Sequence, residues 1–354
     1  MEAAQRLWDQ LHACPELSGQ ERETRAALKA FLQENTTLAL YEVAGGLIAA
    51  HREPTGPILA FRADMDAIPN SQGQPFHGCG HDGHCAILAA LACLLEGRSL
   101  GKSILLLFQP AEETGQGAAR LLEALLPRER INAIFGFHNI PGYPLGSVLL
   151  RQDIFACASE GVIFSLHGQQ AHAAYPEQGA NPIPVLAGLV YALPDLAAKA
   201  GGGAPLLATP TGFLAGGRNF GISPGDGELC LTLRAPRQAD IVALEQAASS
   251  YLAAHAGLHL TMQRQDVFPE TANTPHIFAR VQACLREMGA PVLTLEKPMR
   301  WSEDFGWYLK KIPGLYMGFG AGEDCPGLHT DGYCFPSALI SLCAQRLLDL
   351  AIRF

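Results

Sequence analysis

Residues 103–113 have the sequence SILLLFQPAEE, an unbroken apolar run that ends in a pair of carboxylates at Glu112 and Glu113. An apolar run without alternation is typical of a strand that is buried on both faces, as in a parallel sheet covered by helices. Ligands of such sheets gather beyond the carboxyl ends of the strands. The stretch therefore predicts an α/β fold and also where its functional site lies.

Three further apolar runs have the same form, each ending in or leading to carboxylate or histidine side chains. They are 57–61, followed by Asp64 and Asp66; 133–137, followed by His138; and 314–319, which leads toward His329. Apolar residues at helical spacing in the first forty residues predict helices that cover the sheet. We therefore expect polar groups from four distant segments to meet in one site.

The middle of the chain has a different pattern. Between residues 160 and 267 the apolar residues alternate with polar ones, as in 228–233, or recur at helical spacing. This pattern indicates a smaller α+β unit inserted into the α/β domain. We predict one domain at 1–159 and 268–354, which carries the expected site, and an inserted domain at 160–267.

Composition excludes several functional classes. The 25 Lys and Arg residues against 34 Asp and Glu residues give a net charge of −9, and no Lys/Arg cluster is longer than Lys310-Lys311, so we expect no nucleic-acid partner. No run of about 18 uncharged apolar residues is present, so we expect no membrane span. Ten cysteines and a charged first segment, Met1–Arg6, predict a reducing, cytoplasmic location.

The densest polar cluster is GCGHDGH at 78–84. A thiolate from Cys79 and imidazoles from His81 and His84, bracketed by glycines, suit a borderline-soft divalent metal. The alternative is that this stretch only caps a helix. Glu112 and Glu113 admit two interpretations in the same way, because adjacent carboxylates occur at metal centres and also at solvated helix ends.

The conjunction of these motifs resembles one known family. The chain is similar to the amidohydrolases that include hippurate hydrolases, N-acyl-amino-acid aminoacylases and plant auxin-conjugate hydrolases, relatives of dinuclear metal aminopeptidases and carboxypeptidases. The resemblance covers nearly the whole chain. The motifs that carry it are 11–18 with Glu21, 62–69, 79–84, 108–113, 136–139, 171–174 with Pro176, 302–305 and 328–330.

The resemblance implies two divalent metal ions per chain, zinc or manganese first and nickel or cobalt next. It implies five ligands, with Cys79 as the bridge: Cys79, His81, Glu113, His138 and His329. It implies that Glu112 is the general base that takes a proton from water between the metals and passes it to the leaving nitrogen. Asp64 and Asp66 are expected to orient the ligand imidazoles, with a plain polar strand end as the alternative.

The resemblance also gives roles to the inserted domain. It implies that residues 1–159 and 268–354 form a dinuclear metallopeptidase-like catalytic, metal-binding domain with a mixed sheet, and that 160–267 form a lid that mediates a homodimer. His172 matches the lid histidine that reaches the oxyanion of the transition state, with a loop-capping histidine as the alternative. Asn219 lies near where the family binds the carboxylate of its substrate. Glu177 replaces a second histidine of many relatives, which leaves the acyl and amino-acid preference open.

We therefore expect a metal-dependent amidohydrolase that cleaves N-acyl amino acids, acetyl or benzoyl or similar, to a carboxylic acid and an amino acid. A dipeptidase or carboxypeptidase is a second hypothesis, as is an N-acetyl-diaminopimelate deacetylase. A third is a metal-bound homologue that only binds amino-acid conjugates. Retention of Glu112 beside the five ligands argues against this last hypothesis, because a binding protein needs no base.

Overall fold

The computed structural model describes residues 2–354, which contain both strands and helices. The helices are α1 (Glu2–His12), α2 (Arg22–Asn35), α3 (His81–Leu95), α4 (Gly117–Leu125), α5 (Ile183–Ala200), α6 (Gln238–Ala253), α7 (Pro275–Glu287), α8 (Gly306–Leu309) and α9 (Ala338–Arg353), with a 3₁₀ turn at Pro176–Gln178. The first nine strands are β1 (Ala39–Val43), β2 (Gly46–His51), β3 (Ile58–Asp64), β4 (Ile68–Pro69), β5 (Pro75–Phe76), β6 (Ser103–Gln109), β7 (Ala133–Ile140), β8 (Val148–Leu150) and β9 (Ile154–Ala156). The others are β10 (Ala158–His167), β11 (Ala171–His172), β12 (Leu207–Ala215), β13 (Ile222–Ser223), β14 (Asp226–Ala235), β15 (His259–Phe268), β16 (Thr271–Ala272), β17 (Val292–Thr294) and β18 (Gly314–Gly320).

The chain forms two compact units. The first comprises the residues up to Phe155 together with Thr271–Pro298 and Glu303–Phe354, and the second comprises Ala156–Glu270 with Met299–Ser302. The second unit begins four residues before the predicted boundary at 160 and ends three residues after 267. Its short return at 299–302 was not predicted. The role of this unit as a lid and dimerisation domain stays a prediction.

The first unit is built on a mixed eight-stranded sheet, in the order β1-β2-β6-β3-β7-β18-β8-β17. Its four central strands, β6, β3, β7 and β18, run parallel to one another, and they are the four apolar runs of the sequence. Every residue of β6 and of β7 is buried. The predicted α/β class with a mixed sheet is therefore confirmed, and its parallel centre brings the four strand ends to one edge.

Helix α3 lies in the core of the first unit and begins at the predicted metal cluster. It is apolar on all sides after its first turn, as expected for a helix enclosed by protein, and it packs with β3 and α9 in the main hydrophobic cluster. Gly80 precedes it with φ +83°, a left-handed conformation that favours glycine. A Cβ at Gly80 would lie 2.7 Å from Tyr333 Oη and 2.8 Å from Asn139 Oδ1, so the close packing also requires glycine.

The second unit is a four-stranded antiparallel sheet in the order β12-β14-β10-β15. Buried residues alternate along β14, as the sequence pattern predicts for a strand with one face covered. The covered face packs against α5 and α6 in a separate hydrophobic cluster. Strand β12 is at the edge of this sheet, and a register shift between Pro210 and Gly212 interrupts its pairing.

Within residues 2–354, α5 alone has the length and composition of a membrane-spanning helix, with 18 residues and a mean hydropathy of 1.4. Its buried residues, Leu186, Leu189, Leu193 and Ala197, recur at helical spacing and pack into the core of the second unit. The helix also contains Pro194. This pattern is typical of a helix that covers a sheet with one face.

Candidate metal centre

Cys79 lies at the meeting point of two groups of possible metal ligands in the first unit. Its Sγ is 2.7 Å from Glu113 Oε1 and 2.8 Å from His329 Nε2. The possible ligand atoms of Cys79, His81 and His138 form a second group, in which all lie within 4.8 Å of one another. The two groups share only the thiol of Cys79.

The order of the strands and one long-range backbone hydrogen bond bring these side chains together. Glu113 follows the end of β6 and His138 lies on β7, two strands that flank β3 in the sheet. His329 lies in the loop after β18 with φ +63°, and its backbone N–H donates to Gly78 O at 2.9 Å. That bond attaches the loop of His329 to the segment that carries Cys79.

Hydrogen bonds orient two of the imidazole rings. His81 Nδ1 lies 2.9 Å from the carbonyl oxygen of Asp66, and His138 Nδ1 lies 2.7 Å from that of Asn139. A carbonyl oxygen only accepts, so each Nδ1 carries the hydrogen and donates it. When each ring is neutral, its lone pair is on Nε2, the atom that could coordinate a metal, which is the arrangement that ligand histidines require.

Asp66 and Asp64 lie behind these ligands and are fully buried. Asp66 Oδ2 accepts hydrogen bonds from Ser18 Oγ at 2.6 Å and from the backbone N–H of Glu113 at 2.9 Å. Asp64 Oδ2 lies 3.6 Å from His81 Nε2. Both carboxylates therefore adjoin His81, where the sequence analysis expects them to act.

Glu112 is buried, with 5% of its surface exposed, and its Oε1 lies 3.3 Å from the backbone N of Asp304. Burial and the nearby carboxylates of Glu303, Glu113 and Asp304 raise its pKa well above the usual range. Its carboxylate forms a further possible ligand group with His81 and Glu113. The predicted base is therefore beside the predicted ligands.

The same crowding changes the pKa values of the ligands in the metal-free protein. Burial opposes a charge on His81, but the carboxylates of Asp64, Asp66 and Glu113 raise its pKa to about 10. Burial raises the pKa of Glu113 to about 7, and burial with the charge of Glu113 raises that of the Cys79 thiol. A buried set of thiol, imidazole and carboxylate groups that retains protons in this way fits a divalent cation, which would replace them.

Two residues hold this cluster from behind: Arg62, to which sequence analysis gave no role, and His84, which it considered only as part of the metal cluster. Arg62 is fully buried and binds Asp64 Oδ2 at 2.6 Å and Asp304 Oδ1 at 2.7 Å. His84 Nδ1 lies 2.6 Å from Asp64 Oδ1 and its Nε2 lies 2.6 Å from Asn139 Oδ1. Every one of them belongs to a motif quoted above, but the pairing of Arg62 with a residue 242 positions away leaves no local signal.

His172 and Asn219 lie in the second unit and are exposed. His172 is on β11, and its Nδ1 accepts a hydrogen bond from the backbone N–H of Ala174 at 3.0 Å. The neutral ring then carries its hydrogen on Nε2, which remains a donor. Asn219 Oδ1 accepts from the N–H of Gly221 at 3.2 Å and so stabilises its own turn. The roles predicted for both residues stay predictions.

Known proteins resemble this chain in sequence and in fold. Residues 60–352 match the family described as Peptidase family M20/M25/M40. The chain is 30% identical to the N-acetyl-L-cysteine deacetylase of Bacillus subtilis, over 96% of this chain and 86% of that protein. It is 26% identical to the N-acetyldiaminopimelate deacetylase of Exiguobacterium sibiricum, over 93% of each.

A solved structure from Bacillus subtilis, a dinuclear metal-binding peptidase of the M20 family, has the same fold with a TM-score of 0.82. It is 24% identical and the match covers 99% of this chain and 97% of that one. The family match extends over all the motifs from 62–69 to the loop of His329. The chain is therefore a metal-dependent amidohydrolase that belongs to peptidase family M20/M25/M40.

Proposed function

We propose that this protein hydrolyses the amide bond of N-acyl amino acids, releasing a carboxylic acid and a free amino acid, with two divalent metal ions bound per chain. The observation that carries the proposal is that the Cys79 thiol belongs to two separate groups of possible ligands. One group adds His81 and His138, and the other adds Glu113 and His329. Three donors for each of two ions are thereby available if the thiolate bridges.

We propose zinc or manganese first. Nickel and cobalt are further candidates, because thiolate, imidazole and carboxylate ligands suit several divalent metals. When bound, such ions polarise the scissile carbonyl and lower the pKa of water. Asp66 and Asn139 fix the hydrogens of the His81 and His138 rings on Nδ1. Asp64 forms a hydrogen bond with His84 behind these ligands and so also supports them.

Glu112 is the proposed general base. It takes a proton from the attacking water and passes it to the nitrogen of the leaving amino acid. Its environment supports a role in proton transfer, because burial and neighbouring carboxylates raise its pKa and make the protonated form accessible. A carboxylate whose pKa is raised is a stronger base and accepts a proton more readily.

His172 is proposed to stabilise the oxyanion and Asn219 to bind the carboxylate of the substrate. The Nε2–H donor of His172 supports its role, since Nδ1 is engaged by the N–H of Ala174. We expect His172→Ala to retain the bound metals and to lower kcat by about 10²–10³, as for the loss of one oxyanion donor. The matched control is His167→Ala, another exposed histidine of the second unit. Wild-type kcat in His172→Ala would remove this residue from the mechanism.

A substrate panel tests the function. Purified protein loaded with Mn²⁺, Zn²⁺ or Co²⁺ is assayed for amino-acid release from hippurate, N-acetyl amino acids, N-acetyl-diaminopimelate and unmodified dipeptides. We expect release from the N-acyl amino acids. The likeness to a diaminopimelate deacetylase makes that deacetylation the second candidate. Release from dipeptides alone indicates a peptidase, and no turnover with any metal indicates a binding protein.

The proposal extends to assembly and location. We propose a homodimer formed through the second unit, where the edge strand β12 exposes Phe213 and Leu214, with 43% and 59% of their surfaces accessible. An edge strand with exposed apolar side chains is a ready surface for pairing. The cysteines are all free, which supports a reducing cytoplasmic location. The acidic composition supports a small-molecule substrate without nucleic-acid or membrane partners.

A further inference from the structure

Glu21 is a buried carboxylate that the proposed mechanism does not use. Only 3% of its surface is exposed, and it lies directly before helix α2. Its Oε1 accepts a hydrogen bond from the backbone N–H of Gly19 at 2.9 Å and another from that of Ala111 at 2.7 Å. The second bond connects the amino-terminal segment to a residue 90 positions later, immediately before Glu112 and Glu113.

Ala111 has an unusual backbone conformation. Its φ is +54°, in the left-handed region that residues with a Cβ seldom adopt. Non-glycine residues remain in such conformations only when the surrounding structure holds them there, and they cluster at functional sites. Ala111 is 7% exposed, so its N–H has little access to water and depends on a protein acceptor.

The rest of this corner is fixed by its own hydrogen bonds. Ala111 O accepts from the N–H of Gly117 at 3.0 Å, and Glu112 O accepts from that of Gly115 at 2.7 Å. The N–H of Glu113 donates to Asp66 at 2.9 Å. The bond to Glu21 is the one that engages the amide of Ala111 and thereby favours the positive φ.

We propose that Glu21 is a positioning residue that holds Ala111 in its left-handed conformation and so directs the Glu112 and Glu113 carboxylates into the site. This inference rests on the proposed roles of Glu112 as base and Glu113 as ligand. A change of φ at Ala111 from positive to negative would rotate the backbone that leads into Glu112 and Glu113, and so would move both carboxylates. A misplacement of about 1 Å in catalytic groups can cost about 10² in rate.

Glu16 offers a matched control from the same segment. Its carboxylate accepts hydrogen bonds from the N–H groups of Arg22, Glu23 and Thr24 and so stabilises the start of α2. Its side chain has no hydrogen bond to the corner at 110–117. Removing it should weaken the amino-terminal segment without moving Glu112, which separates a general loss of stability from a loss of positioning.

The kinetic test compares Glu21→Leu, Glu21→Asp, Glu21→Gln and Glu16→Leu, each loaded with metal. Leucine lacks the acceptor and aspartate is too short to reach Ala111, so both should lower kcat by about 10–10² with KM and metal content little changed. Glutamine retains an acceptor oxygen, and it should remain within about threefold of wild type. Adding Ala111→Gly to Glu21→Leu should recover part of kcat, because glycine adopts positive φ readily. If Glu21→Leu does not fold, Glu21→Asp decides.

Several results overturn the proposal. These are wild-type kcat in Glu21→Leu or Glu21→Asp, no recovery on adding Ala111→Gly, or an equal loss in Glu16→Leu. A crystal structure of metal-free Glu21→Leu gives a test that needs no substrate. We expect a negative φ at Ala111, and a value that stays near +54° overturns the proposal. If the wild type hydrolyses no N-acyl amino acid, the proposed function fails, and this φ still decides the role of Glu21.

Discussion

Both units of this protein bury carboxylates, but they neutralise them differently. In the second unit, Glu160 and Glu245 are each 1% exposed and lie beside one guanidinium, that of Arg264. Arg264 donates to Glu245 at 2.8 and 2.6 Å and lies 3.8 Å from Glu160. Burial and the neighbouring Glu245 raise the pKa of Glu160 to about 8. The positive charge of Arg264 and one bound proton thus neutralise the two carboxylates.

In the first unit, the guanidinium of Arg62 pairs with Asp64 and Asp304, but further carboxylates adjoin a thiol and imidazoles. Among residues 2–354, all the groups of side chains that could hold a metal lie in this unit. One of their members, His329, has 57% of its side chain exposed, so the cluster is open to an entering ion. The comparison teaches that buried carboxylates alone do not indicate a metal centre, whereas carboxylates beside soft and imidazole donors do.

The largest expected effect tests the donor that the two ligand groups share. Cys79→Ala should lose metal occupancy and lower activity by at least about 10³, because a bridging thiolate contributes to both ions. Metal content and kcat measure this. Cys343→Ala is the control, since Cys343 is also buried in the first unit but packs in its hydrophobic core. Full metal content in Cys79→Ala would show that the thiol is no ligand.

The next effect separates the base from the ligands. Glu112→Gln should keep both metals and lower kcat by at least about 10², because the amide cannot transfer the proton. Metal analysis and steady-state kinetics measure this, with Glu123→Gln on α4 as a surface control. Loss of one ion from Glu112→Gln would make Glu112 a ligand and contradict its assignment.

The pH dependence of metal binding should also distinguish the metal-ligand cluster of the first unit from the Glu160–Glu245 pair of the second unit. The pKa of about 10 at His81 means that metal must displace a proton below that pH, and the pKa of about 7 at Glu113 adds a second proton below neutrality. The raised pKa of the Cys79 thiol adds another proton that the metal must displace, so the apparent Kd should rise about a hundredfold for each unit of decrease in pH from 9 to 7, and more steeply below. Competition with a chromogenic chelator measures it. A Kd independent of pH would contradict these protonation states.

The smallest effect concerns the second unit. The pKa of Glu160 is 4.5 in a model peptide and about 8 in the folded chain. Between pH 4.5 and pH 8 the folded protein therefore binds more protons than the unfolded chain does. The contribution of Glu160 to the free energy of unfolding therefore falls as pH rises from about 4.5 to about 8 and is constant above. Glu160→Gln should remove this slope and raise the free energy of unfolding at pH 8 by about 1–2 kcal/mol.

Denaturant unfolding at pH 5 and pH 8 measures this effect, with the exposed Glu177→Gln as control. Metal content and kcat should stay at wild-type values in Glu160→Gln, in contrast to Cys79→Ala. A lower stability of Glu160→Gln at pH 8, or a loss of metal, would break the distinction between the two clusters.

Much of the fold could be predicted because its signals are local. The apolar runs at 57–61, 103–108, 133–137 and 314–319 lie in the strands that form the parallel centre of the large sheet, since strands buried on both faces need mostly apolar residues. The return of 299–302 to the second unit could not be predicted, because it depends on pairing with a distant strand rather than on its own pattern.

For the candidate site, residue types and motif spacing determined which side chains to consider and, through the resemblance, the family. A thiol, imidazoles and carboxylates keep their chemistry wherever they lie, so the sequence alone indicated a metal and hydrolysis. Tertiary structure decided which of them meet: Cys79 between Glu113 and His329, Arg62 against Asp304, and Glu21 at the amide of Ala111. These contacts depend on distances of a few ångström between segments far apart in the chain, and only the packing of the sheet and its helices sets such distances.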